Sequence, residues 1–326
     1  MLTHLAHQAL GRLSVLPLYG GGFWVAFTQL TVFYYTMGAV LHFVLPRIVP
    51  VKAIQAQPRK RGEVLRDAFY SLGPLAVKAG VWALVERLHA RGWGFTYEGS
   101  LLQPGAGAGA SGSSSRSGGM GAGAALSYCL LCVALLDYLH DTWFYWTHRL
   151  LHWGPLYRHV HYIHHKSKAP SAFTGYSFHL VEALIVFANE VLVCFMFPLH
   201  MGLHRLYHLY TTLIHEGGHV GYELAPFIPT LEGLVTLAAR GVRPRGGASW
   251  WLNTVQHHDL HHRFPTRHFS LYFTHWDRLC GTLHPAYDKD LFSYFTAPGQ
   301  PSKPSQEGEG AGQGQGVEVG ADKKAD

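Results

Sequence analysis

Between Phe23 and Leu45 the chain runs 23 residues without an Asp, Glu, Lys or Arg, long enough to cross a bilayer with some tilt. Pro46 closes this stretch, and Arg47, Lys52, Arg59, Lys60, Arg61 and Arg66 follow it. A second apolar run, 68–88, is interrupted by Pro74 and Lys78, which predicts either a tilted span or an interfacial helix. Residues 99–125 are Gly, Ala and Ser almost throughout. Such a composition buries no core and predicts a disordered insertion. An apolar helix is predicted from Leu126 to about Trp146, carrying Asp137 and Asp141, which are costly in lipid unless they face protein. Further on, 180–199 is apolar apart from Glu182, Asn189 and Glu190, and a break at Pro198–Gly202 leads into a second helical stretch, 203–214. Two helices joined by a tight break form a hairpin, which returns the chain to the side it left. Residues 226–240 read as an amphipathic, interfacial segment, and the Gly, Gln, Ser and Glu of 298–326 as a disordered tail.

Composition strengthens the membrane reading. Charged residues are 14% of the chain, against about 25% in soluble domains. The fold class expected is an all-α integral membrane protein with about four transmembrane helices and a helical His-rich cap. The net charge of +6 does not call for a nucleic acid, because the basic residues after the first span follow the positive-inside rule. Four cysteines give no disulfide framework, and Cys129 and Cys132 lie within an apolar run, as buried free thiols do. No small-residue cleavage site follows a short apolar core near the N-terminus, so no cleavable signal peptide is expected.

The candidate chemistry is in the histidines. Four clusters occur in order: His148 and His152; His161, His164 and His165; His215 and His219; His258, His261 and His262. On an α-helix, positions four apart share a face, so each cluster aims at least two imidazoles in one direction. Ten nitrogens exceed what a single metal uses and suit two metals, with a position left for oxygen or water. His257 competes with His258 for the last cluster, but only His258 completes the HxxHH spacing. Asp141, seven residues before His148, is a candidate partner for a ligand imidazole. His179 is a candidate for the same role or for the substrate side. Metal binding needs neutral imidazoles, so metal loss is expected below about pH 6. A competing reading comes from His215-Glu216-Gly-Gly-His219, which matches the H-E-x-x-H of zinc metalloproteases and lies beside membrane helices. It leaves the other eight clustered histidines unexplained.

These motifs resemble the fatty acid hydroxylase and sterol desaturase superfamily of membrane di-iron oxygenases, over roughly Leu126 to Tyr287. The stretch from Asp141 through His148 to His152 is similar to the family's first box with its upstream acid. His161-Tyr-Ile-His164-His165 and the segment Pro170 to His179 resemble the second box of C-5 sterol desaturases. His257 to His262 and Phe273 to Thr282 resemble the final box and its sequel. Two departures stand out: Leu180 follows His179 where the family has proline, and the third box reads His-Glu-Gly-Gly-His.

The resemblance implies two non-haem irons held by the ten histidines, O2 as co-substrate, and a membrane lipid substrate, with C-5 desaturation of a sterol leading. Hydroxylation of a sphingoid base or fatty acyl chain is the alternative within the superfamily. No His-Pro-Gly-Gly haem segment is present, so a separate electron donor such as cytochrome b5 or its reductase is implied. The expected organisation is an N-terminal membrane region at 1–98, the insertion at 99–125, a catalytic domain at 126–290 and the tail at 298–326. With the clusters cytosolic, the basic segment 47–66 is cytosolic too, as the positive-inside rule requires. Lys323-Lys324-Ala325-Asp326 then resembles a dilysine signal for return to the endoplasmic reticulum.

Overall fold

A computed structural model describes residues 18–55, 58–99, 122–223, 230–240, 251–285 and 287. The tail at 298–326 and residues 100–121 of the Gly-rich insertion lie outside this set. The fold is all-α, and three helices among the described residues are long and apolar enough to cross a membrane. The first, α1, spans Gly22–Ala39 and continues through a π-helical turn, Val40–Val44, to Leu45–Ile48. The second, α2, is Glu63–Ala90, and the third, α3, is Ala122–Leu151.

The order in which these helices face lipid follows from their side chains. In its most apolar window α2 is 44% buried, against 22% for α1 and 28% for α3. The outer helices present Trp24, Val32, Leu131 and Leu135 outward, while α2 packs on α1. Lipid tails are as apolar as leucine, so this bundle is held by close packing and buried polar pairs rather than by escape from water. Lys78 is the clearest case. It is fully buried and pairs with Glu190, whose other oxygen accepts from Trp82 Nε1 at 2.8 Å. Lys78 is therefore compatible with a full span, and α2 is a 28-residue helix long and apolar enough to cross a membrane.

The hairpin expected at 180–214 is present as two helices, α5 (Leu180–Leu192) and α6 (Met201–Gly218), joined through a 3-10 turn at Val193–Phe195. Between α3 and α5 lies the short α4, Gly154–His159. Against the about four spans expected, three helices of membrane length lie among the described residues; α5 has 13 residues, roughly 20 Å at the helical rise, short of a bilayer's apolar thickness. The 18-residue α6 buries His204, Arg205, His208, Thr211, Thr212, His215 and Glu216 against protein. It is a polar helix inside the bundle. The amphipathic segment expected near 226–240 appears as α7, Leu231–Arg240. Two short helices complete the cap, α8 (Val255–Arg263) and α9 (His275–Leu279).

A shared core joins the membrane helices to the cap: Leu30 and Tyr34 of α1, Leu75 and Trp82 of α2, Phe144 of α3, Phe187 of α5, and Tyr272 and Phe273 before α9. Asp67, at the start of α2, is the polar counterpart of this core. Its carboxylate accepts from Ser167 Oγ (2.6 Å), Thr174 Oγ1 (2.7 Å) and Ser177 Oγ (3.1 Å). These bonds pin the 167–177 loop under the histidine clusters.

Candidate metal centre

All four histidine clusters come together where α3, α6 and α8 end. Nine of the ten imidazoles fall into two groups. His148, His152, His161, His165 and His261 form one, and His164, His219, His258 and His262 the other, with the donor atoms of each group within 4.8 Å of one another. The helical spacing explains the split at α8. His258 and His262, four apart, share a face and enter the four-membered group, while His261, about 100° round, enters the five-membered one. Residues His161–Lys166 form a 3-10 helix, so the α-helical face expected there does not apply. At three residues per turn, His161 and His165 approach from adjacent sides, with rings 73° apart and Nε2 atoms 3.1 Å apart. Each HxxHH motif thus supplies both groups.

What fixes the rings is mostly backbone. The Nδ1–H of His148 donates to Phe269 O (2.8 Å), that of His219 to His215 O (2.5 Å), that of His261 to Arg267 O (2.7 Å) and that of His262 to Ser167 O (3.0 Å). His161 donates instead to Glu182 Oε1 at 2.8 Å. An oxygen at Nδ1 sets the tautomer and leaves Nε2 as a bare lone pair. Those lone pairs converge. His261 Nε2 is 3.1 Å from the Nε2 of both His152 and His165, and His219 Nε2 is 2.8 Å from His258 Nε2 and 3.3 Å from His164 Nε2. The Nε2 atoms of His148 and His262 are buried without a hydrogen-bond partner. Metal–imidazole bonds of about 2.1 Å at right angles place neighbouring nitrogens about 3 Å apart, so the donor set fits two metal ions.

The tenth histidine stands apart. His215 belongs to neither group, although it lines the cavity that His164, His219 and His258 also line. The shared face expected of His215 and His219 is lost because α6 ends at Gly218. His219 caps it with φ −110° and ψ 0°, which swings its ring off the helical stripe. His215 donates Nδ1–H to Thr211 O (2.9 Å), and its Nε2 is buried and unpartnered. The same break removes the protease geometry. Glu216 packs against Gly38 of α1, where a Cβ would come within 2.9 Å of its Oε1, and His215 and His219 do not act as one ligand pair.

The other candidates are placed away from the ligands. Asp141 accepts from the backbone N–H groups of Leu271 (3.0 Å) and Tyr272 (2.7 Å) rather than from a clustered imidazole. It tethers the segment that supplies Phe269 O. His179 caps α5 by accepting from Val181 N at 3.1 Å, three residues before Glu182 in the first turn. His257 turns away to Asp277, 3.2 Å from its Nε2. Glu182 was the residue that sequence reasoning passed over, and its signal was a carboxylate in an otherwise apolar helix.

Burial, and after it the neighbouring imidazoles, push the pKa values of His161, His164, His165, His258, His261 and His262 well below the ordinary 6.5. The rings therefore stay neutral further into acid than isolated histidines, and acid loss of metal moves below the pH 6 expected from sequence.

Residues 133–282 match the family model described as fatty acid hydroxylase. The matched stretch is similar to fatty acid hydroxylase domains. It contains all ten clustered histidines and both carboxylates, Asp141 and Glu182, that fix the surrounding structure. Lathosterol oxidase of Mus musculus is 32% identical over 164 residues, 48% of this chain and 47% of that protein. A C-4 methylsterol oxidase of Schizosaccharomyces pombe is 30% identical over 159 residues, 46% of each chain. Methylsterol monooxygenase 1 of Rattus norvegicus is 29% identical over 161 residues, 48% of this chain and 46% of that one. The matched part spans about half the length of these relatives. No solved structure matches the chain.

Proposed function

We propose that the protein is an O2-dependent di-iron oxidoreductase that oxidises an unactivated C–H bond of a membrane sterol. The observation that carries this is the convergence of nine imidazoles in two groups, with Nδ1 of five held by fixed oxygens. Iron bound by such neutral ligands supplies the redox chemistry that breaks a C–H bond with O2 and two external electrons. The chain's own contribution is placement. Glu182 holds the His161 ring, and Phe269, Arg267 and Ser167 hold three more through their carbonyls. The small cavity beside the clusters has an apolar wall of Phe144, Leu151, Phe178 and Val186, which gives the imidazoles an apolar surround on that side.

The sterol assignment draws on relatives named for lathosterol and methylsterol oxidation, and we carry forward C-5 desaturation from the likeness of 161–179 to C-5 desaturases. The clusters face the cytosol of the endoplasmic reticulum in this reading, and electrons come from a separate donor such as cytochrome b5. The catalytic domain is 126–290, preceded by a membrane region at 1–98.

The test is metal analysis of detergent-purified full-length protein, followed by sterol turnover. About two irons per chain are expected, with a sterol product that has lost two hydrogens. A product that has gained one oxygen at a methyl carbon moves the assignment to methylsterol oxidation, and turnover of only acyl or sphingoid substrates overturns the sterol reading. One zinc per chain, retained when His161 is replaced by alanine, overturns the oxygenase.

A further inference from the structure

The described residues between α1 and α2 lie well before the matched stretch of 133–282, yet they run across the histidine cap as a strap. Lys52–Ala53 pairs antiparallel with Tyr222–Glu223, and Ile54 N donates to Gly221 O at 3.2 Å. The strap therefore joins the chain just after the third histidine cluster. Glu223 extends the connection, because its Oε1 accepts from Gln256 N at 2.7 Å in the first turn of α8, the helix that carries the fourth cluster.

Arg59 makes the remaining link. Its Nε lies 2.9 Å from Pro170 O and 3.2 Å from Ala169 O, and its Nη2 lies 2.7 Å from Pro170 O and 2.8 Å from Val220 O. Gln55 Nε2 donates a further bond to Pro170 O at 2.7 Å. Ala169 and Pro170 follow the second cluster, and Val220 directly follows His219. One planar guanidinium thus ties the exits of two clusters together, which the single ammonium of a lysine does not reproduce. The seat is shaped for it. Gly221 has φ +82°, and a Cβ there would lie 2.5 Å from Gln55 Nε2 and 2.6 Å from Arg59 Nη2, so only glycine lets the strap close on this turn.

We infer that Arg59 is a positioning residue for the four-membered histidine group, acting through the carbonyls of Ala169, Pro170 and Val220. The inference rests on the two-metal reading above. The four-membered group draws His164 from the second cluster, His219 from the third, and His258 and His262 from the fourth, the three clusters whose flanking backbone the strap ties. His258 Nδ1 is buried without a hydrogen-bond partner, so its ring is set by the backbone that carries it. The five-membered group instead takes His148 and His152 from the end of α3 and has His161 held by Glu182, supports that lie outside the strap. Loosening the strap therefore moves the ligands of one group relative to each other more than those of the other.

The test is titration of the detergent-purified, full-length apoprotein with cobalt(II) ions, whose visible absorption reports both the number bound and their coordination. The wild type takes up about two per chain. Arg59→Ala weakens one of the two by about tenfold or more and leaves the other unchanged. In a His258→Ala background, where the remaining ion belongs to the five-membered group, Arg59→Ala causes no further loss; in a His165→Ala background it does. Arg59→Lys does not restore the affinity, and Lys60→Ala, at the exposed neighbouring residue, changes nothing. Gln55→Ala and Gly221→Ala loosen the strap from its two sides and shift the same ion in the same direction by less, which carries the test if Arg59→Ala does not fold. Equal weakening of both ions, or a lower melting temperature with both affinities intact, makes Arg59 a general support and overturns the inference, as does unchanged binding. A wild type that takes up fewer than two ions overturns the two-metal reading, and this inference with it.

Discussion

The two histidine groups are built from the same motifs and yet differ in number and in surroundings. The five-membered group has one part-exposed ring, His152, and one ring held by a carboxylate, Glu182. The four-membered group is wholly buried, is oriented by carbonyls at His219 and His262, and has the unpartnered His215 Nε2 across the cavity. The first has the fuller set of imidazoles and the one ring that borders a surface groove, His152. The second has one imidazole fewer. Both groups border the same cavity, the first through His148 and His161 and the second through His164, His219 and His258.

The largest effect is expected from taking one ligand out of the smaller group. His258→Ala leaves three imidazoles and lowers bound iron toward about one per chain, whereas His165→Ala leaves four and loses less. Elemental analysis of the two variants side by side checks this, and equal losses would erase the distinction between the sites. His215→Ala should keep both irons, and a loss as large as that of His258→Ala would return His215 to the ligand set.

Next comes the support. Glu182→Gln keeps shape but weakens the acceptor at His161, so metal affinity at the five-membered group is expected to fall about 10- to 100-fold with the other group unaffected. Metal titration of the apoprotein resolves the two. Gly175→Ala acts on the other side. A Cβ there would lie 2.9 Å from His215 O and 3.1 Å from Glu216 N, backbone atoms that cannot swing aside. The variant should lose about 1–3 kcal/mol of stability in thermal unfolding and weaken the site that His219 serves.

The last effect is one of pH. In the apoprotein the buried rings of His161, His164, His165, His258, His261 and His262 have pKa values well below those of the unfolded chain. The unfolded state then binds more protons, so stability is full above about pH 6.5 and declines as pH falls through that value. Melting temperatures of metal-free protein between pH 8 and pH 5 measure it, and a flat profile would show that the rings are not held neutral.

The spans at α1 and α3 were legible because long uncharged runs have few other meanings. At α3 the helix runs past Trp146 to Leu151, so His148 lies within it. The number of spans was less legible, because α6 owes its place to buried partners that hydropathy does not report. The imidazoles could be counted from spacing, but their partition could not. It depends on a 3-10 turn at 161–166 and on the cap geometry of His219, which differ from an ideal helix by tens of degrees. The carbonyls of Phe269, Arg267 and Ser167 leave no sequence trace at all, since any residue offers one. Asp141 was flagged correctly as an unusual acid, and its partners turned out to be amides of a segment 130 residues away.

The Lys78–Glu190 pair also bears on how the chain is made. A lysine at the centre of a helix costs about 2.5–3.5 kcal/mol on entering the bilayer, and its counter-charge lies 112 residues later, beyond the Gly-rich insertion and the first two histidine clusters. During synthesis α2 must wait beside the membrane machinery, or bear that cost, until α5 has emerged. Assembly of the bundle is therefore tied to completion of the segment that brings the metal ligands together.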